Sequence, residues 1–126
     1  MSFSIAPHDL DATVERATAA GAGIGAVVPL SRRTPDGREL AWRLGLPEDA
    51  RQPPFLIDWG TTPQPGTSDI PTIELVSFVR VEPDPAPLRA VLEALGLGDG
   101  VTAVEQGTAA GFRLTLRRAD GALVEL

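Results

Sequence analysis

The chain has 126 residues, 43% hydrophobic and 22% charged, with a net charge of −6 and no cysteine. This composition fits one compact globular domain and excludes disulfides, thiolate metal sites and cysteine nucleophiles. No apolar run reaches the roughly 20 residues of a membrane-spanning helix, no signal peptide is visible, and the acidic balance argues against nucleic acid, so the expected location is cytoplasmic. All eleven basic residues are arginine, so Schiff-base lysines and P-loops are excluded, and His8 is the single histidine.

In chain order, residues 2–6 alternate polar and apolar as a half-buried strand does. Asp9 stands where an N-cap belongs, Leu10, Val14 and Ala17 share one helical face, and Gly21 stops the helix. A second strand is predicted over 26–33. The turn Pro35-Asp36-Gly37 returns the chain into a third strand over 38–44, in which Leu40, Trp42 and Leu44 alternate with Glu39, Ala41 and Arg43. A loop through Pro47, Pro53 and Pro54 leads to a fourth strand over 55–59. Residues 61–72, rich in Thr, Pro, Gly and Ser, read as a linker between module one (1–60) and module two (73–126).

The second module starts as the first does. Ser2 matches Ser77, Phe3 matches Phe78, Asp9 matches Asp84 and Gly21 matches Gly96, all at one offset of 75. A strand over 73–81 precedes a helix capped by Asp84 with Pro85 at its first position and Leu88, Val91, Leu92 and Leu95 as its apolar stripe. A weak strand over 102–105 and a hairpin of 112–118 and 122–126 around Asp120-Gly121 complete the order. Arg80 is the misfit, on the face assigned to the helix, and is expected at the sheet's end with its head in water. A repeated unit of this length points to two modules sharing a core. The fold class is α+β, with two βαβββ modules.

Pleat parity gives candidate site residues. If Phe55, Ile57 and Trp59 lie under the first helix, Leu56 and Asp58 face the other way. Leu56-Ile57-Asp58-Trp59 matches Leu123-Val124-Glu125-Leu126 at an offset of 67, which puts Glu125 with Asp58. Phe3 and Phe78 beneath their helices leave Ser2 and Ser77 on that same face. Asp58 and Glu125 are the candidate catalytic pair, as a general base or a pair sharing a proton. The competing reading is that each carboxylate binds a neighbouring arginine or faces water. Trp42 and Trp59 offer a stacking wall or core packing. Arg32, Arg33 and Arg43 are candidates to clamp a carboxylate or phosphate. Neighbours along a strand face opposite ways, so Arg32 and Arg33 cannot both enter one pocket, and ion pairs to Asp36 or Glu39 on a solvated strand end explain at least one of them. His8 reads as a surface or capping residue. Gly21-Ala22-Gly23-Ile24-Gly25 follows a helix instead of opening one, so it reads as a turn and not as a phosphate loop.

Two consecutive βαβββ modules resemble the vicinal oxygen chelate superfamily. The stretch Ser31-Arg32-Arg33-Thr34-Pro35-Asp36-Gly37-Arg38-Glu39-Leu40-Ala41-Trp42-Arg43-Leu44, with Pro54-Phe55-Leu56-Ile57-Asp58-Trp59-Gly60, resembles its glyoxalase-like branch more narrowly. The resemblance implies paired curved sheets enclosing a cup, with metal ligands from the first and last strands of each module. There this chain has Ser2, Asp58, Ser77 and Glu125. Serines stand where the family pattern puts histidines, so no cofactor is expected beyond a weakly held divalent cation on Asp58 and Glu125. It also implies that longer relatives carry a further amino-terminal segment with a histidine-bearing strand, so that this chain starts at what would be their middle. The expected function is small-molecule binding without the usual His-based metal site, with Ser2, Ser77, Trp42, Arg43 and Arg32 as ligand contacts. Two alternatives stay open: a lyase or isomerase acting on a small carbonyl compound, and a structural module that forms a homodimer.

Overall fold

The computed structural model describes residues 3–47, 54–65, 71–98 and 103–126; Ser2, Thr102, Pro53 and residues 66–70 of the expected linker lie outside them. The elements are β1 (Ser4–Ile5), α1 (Leu10–Ala19), β2 (Ile24–Arg33), β3 (Glu39–Pro47), β4 (Phe55–Asp58), β5 (Glu74–Glu82), α2 (Ala86–Ala94), β6 (Ala103–Gln106), β7 (Gly111–Arg117) and β8 (Leu123–Glu125). The fold is α+β, and βαβββ occurs twice, as the sequence predicts. The chain divides into two compact units, Met1–Asp69 and Ile70–Leu126, each with a four-stranded mixed sheet. No helix among the described residues is long and apolar enough to cross a membrane.

Local chemistry explains why the two helices are alike. The Asp9 carboxylate accepts the Ala12 N–H at 3.0 Å and caps α1. At the other end Gly21 takes φ +79°, which lets Ala22 N–H reach back to the Ala17 carbonyl at 2.9 Å. Seventy-five residues later Gly96 takes φ +76°, and Leu97 N–H reaches the Leu92 carbonyl at 2.8 Å. The start of α2 departs from expectation. Pro85, already in the helical region, is the N-cap and has no N–H to offer. Asp84, one residue upstream, accepts the Ala86 N–H at 3.2 Å instead.

The sheets are wired differently. In the first unit the strand order is β1-β4-β3-β2, so the last strand of the module lies between its first and third. In the second it is β6-β5-β7-β8. There the opening strand, nine residues long, pairs in parallel with β6 and antiparallel with β7, and β8 is left at the edge. The opening strand of the first unit is two residues long and, among the described residues, pairs only with β4. The repeat therefore holds through strand and helix and stops at strand pairing.

In the first sheet Leu56 pairs with Gly45, and Gly45 with Val27. A Cβ built on Gly45 would meet Val14 Cγ2 of α1 at 3.3 Å, so this row faces α1 and the glycine lets the helix come close. Leu56 is fully buried there, among a core that includes Leu10, Ala17 and Ile24. This reverses the expected parity: Leu56 and Asp58 lie on the helix side, and Phe55, Ile57 and Trp59 on the other. Burying a leucine contributes roughly 1.5–3 kcal/mol, which fixes the register that places every other residue of the sheet.

Candidate functional site

The face of the first sheet turned away from α1 is apolar. Strand pairing puts Leu30 beside Trp42, Val28 beside Leu44, and Leu44 beside Ile57 on it. Trp42 and Trp59 meet there, with ring centroids 5.5 Å apart and planes tilted by 45°. Both indoles are half-buried, and Val28 and Leu30 are about 40% exposed. An aromatic and aliphatic wall of this kind has the chemistry to stack against the flat or apolar part of a small molecule. Arg32 pairs with Leu40 in the next row and adds a guanidinium to the same face. Arg33 pairs with Glu39 and faces the opposite way, as alternation requires.

On the α1 side, Asp58 is held by an arginine. Arg43 pairs with it in register and donates to Asp58 Oδ2 from Nη2 at 2.6 Å and from Nε at 3.1 Å. Its Nη1 donates to Asp11 in the first turn of α1 at 2.9 Å. The Gly60 N–H donates to Asp58 Oδ1 at 2.8 Å. The Arg43 guanidinium, and then the Gly60 N–H, hold the Asp58 carboxyl below the ordinary carboxylate value, and Asp58, followed by Asp11, raises that of Arg43. This shift is opposite to the one a general base working near neutrality needs. The arrangement ties β3, β4 and α1 together.

In the second unit Ser77 pairs with Thr115, and Thr115 with Glu125. All three share one face in one row, with Ser77 and Glu125 two strand spacings apart, about 10 Å. Both are exposed. The same face carries two ion pairs, Arg113 to Glu105 at 2.6 Å and Arg117 to Glu74 at 2.9 Å. Arg80 departs from expectation. It is 4% exposed, lies 4.5 Å above the Phe112 ring and pairs with Glu82 at 2.5 Å, while its Nη1 finds no hydrogen-bond partner among the described residues. Its head is in the interior because Glu82, two residues on along the same strand face, neutralises it there.

The family-type metal does not fit these donors. A cation at Asp58 would have to displace the guanidinium now 2.6 Å away. Glu125 and Ser77 add one carboxylate and one hydroxyl, Ser2 lies outside the described residues, and among the described residues no three His, Cys, Asp or Glu side chains gather. His8 is exposed beside the capping Asp9.

Trp59, which the sequence offers as stacking wall or core packing, lies on the apolar face because the face assignment reverses. Other residues on that side escape sequence reasoning. Arg38 and residues 63–65 line an open cleft of about 430 Å³ with Arg32, Thr34 and Leu40. The signal for Arg38 was present: a three-residue turn with glycine last puts residues 34 and 38 opposite each other. Residues 63–65 carried no such signal. A family model described as a glyoxalase-like domain matches residues 1–96. No curated protein and no solved structure matches the chain.

Proposed function

The chain belongs to the glyoxalase-like domain family, and from that premise we propose that it is a small-molecule binding protein that works without a metal ion. The observation that carries this reading is the division of labour between the faces of the first sheet. Apolar and aromatic side chains, Trp42 and Trp59 foremost, occupy the face away from α1. Asp58, the carboxylate best placed by sequence to act on a substrate, is instead turned towards α1 and neutralised by Arg43. Among the described residues the open face offers no base and no metal ligand set, and what remains there binds. Neutral N-phenyl-1-naphthylamine tests this through its fluorescence and the quenching of tryptophan. Saturable binding unaffected by EDTA, weakened about tenfold or more by Trp42→Ala, is the expected result. Absence of saturable binding, or binding only after a divalent cation is added, overturns it.

A second reading, a homodimer, is favoured by a separate observation. Ile73, Leu75, Val76, Leu123 and Leu126 are 41% to 67% exposed, and β8 is a sheet edge with one neighbour. Light scattering that returns the mass of two chains supports it, and a single-chain mass at high concentration removes it.

A further inference from the structure

The tip of the β2–β3 hairpin is built to hold its shape. The Gly37 N–H donates to the Thr34 carbonyl at 2.9 Å, and Gly37 takes φ +85°, a conformation that favours glycine. The Thr34 N–H donates to the Arg38 carbonyl at 2.8 Å, and the single proton of the Thr34 hydroxyl is shared between that carbonyl and the Asp36 carboxylate. Thr34 is thus paired with Arg38, and Arg32 with Leu40, so alternation puts all four side chains on the face of Trp42. Residues 63–65 form the facing wall. They follow a tight turn in which the Thr62 N–H donates to the Trp59 carbonyl at 2.8 Å and the Thr62 hydroxyl accepts the Ala41 N–H at 3.2 Å. Between them lies the cleft of about 430 Å³, lined by Arg32, Arg38 and Leu40 on one side and by Pro63 and Pro65 on the other.

The two arginines of this cleft differ from the four that are held closely by a carboxylate. Arg43, Arg80, Arg113 and Arg117 each hold a carboxylate within 2.9 Å. The side chains of Arg32 and Arg38 make no hydrogen bond or ion pair among the described residues, in a chain with 17 acidic and 11 basic residues. Asp36 bonds the Thr34 hydroxyl and attracts Arg38 only at longer range, without a hydrogen bond between them. Two guanidinium groups lining one cleft add a positive potential that favours an anion there. The planar fork of arginine matches a carboxylate through paired N–H donors. The rest of the cleft is apolar: Leu40 is 8% exposed, two prolines face it, and Trp42 is the next residue on the same strand face.

We propose that this cleft takes the carboxylate of a small amphipathic acid between Arg32 and Arg38, with the apolar body of the acid running over Leu40 towards Trp42 and Trp59. The proposal rests on the small-molecule-binding reading and names its ligand class. Calorimetric titration of the full chain with octanoate and with 1-octanol tests it. Octanoate binds about tenfold more tightly at low salt, and added sodium chloride narrows the difference. Arg32→Gln and Arg38→Gln each remove most of that advantage and leave 1-octanol binding unchanged, whereas Arg33→Gln, on the opposite face, changes neither. Equal affinity of octanoate and 1-octanol, or an octanoate advantage that survives both substitutions, overturns the carboxylate site and leaves the apolar face standing. Failure of both compounds to bind overturns the site together with the reading beneath it.

Discussion

Asp58 and Glu125 occupy matched places in a sequence repeat and live in different surroundings. Asp58 ends a strand flanked on both sides, and it shares a sheet face with a helix. Glu125 ends an edge strand, opposite Thr115 on a face crossed by Arg–Glu pairs. A repeat carries local instructions, such as a helix cap or a glycine stop. It does not carry strand pairing, which depends on residues far away in sequence. Roles assigned to one module cannot be copied onto the other by offset alone.

The difference can be broken or sharpened by substitution. The largest effect falls on the buried arginine of the second unit. Arg80→Ala leaves Glu82 unpaired in the interior and is expected to cost about 3–5 kcal/mol, whereas the double change Arg80→Met with Glu82→Leu returns stability close to that of the parent. Urea unfolding reads both. If Arg80→Ala is nearly silent, the pair does not hold the second sheet.

Next comes the matched pair of leucines. Leu56→Ala, at a fully buried site, costs about 2–5 kcal/mol, and Leu123→Ala, at a site 57% exposed, stays within about 0.5 kcal/mol. Equal losses would restore the equivalence of the two modules.

The smallest effect is electrostatic. Asp58→Asn is expected to cost about 1 kcal/mol near neutral pH, a modest figure because Arg43 is 40% exposed, while Glu125→Gln changes stability by less than about 0.5 kcal/mol. Because the folded-state pKa of Asp58 is lowered, its pair with Arg43 contributes stability above the unfolded carboxylate value of about 4. That contribution is lost as pH falls through the folded value. Melting curves from pH 6 to pH 2 should therefore show a shallower acid limb in Asp58→Asn than in the parent. Parallel limbs would mean that the ion pair does not form in solution.

Much of the fold was legible because its causes are local. Asp9, Gly21 and Gly96 marked helix ends, and Pro35-Asp36-Gly37 marked the hairpin. Alternation along 38–44 put Trp42 and Leu40 on one face. It could not say which face α1 covers, since strand parity leaves two answers. Gly45, at the point of closest helix approach, held the deciding clue in one missing Cβ. Arg80 taken alone reads as a surface residue. Glu82, two residues away on the same strand face, supplies the counter-charge that brings it inside. The pairing of Arg43 with Asp58 rests on cross-strand register, which no single segment encodes.

On the proposed reading, ligands bind on the Trp42 face and not around Asp58 or Glu125. The two tryptophans give two indole N–H signals in a ¹H–¹⁵N spectrum, assignable with Trp42→Phe. Titration with octanoate should shift both indoles and the backbone amides of Arg32, Arg38 and Leu40, with the Asp58 and Glu125 amides unmoved and EDTA without effect. Shifts confined to Asp58, Gly60 or Glu125, or shifts that require a divalent cation, would contradict it.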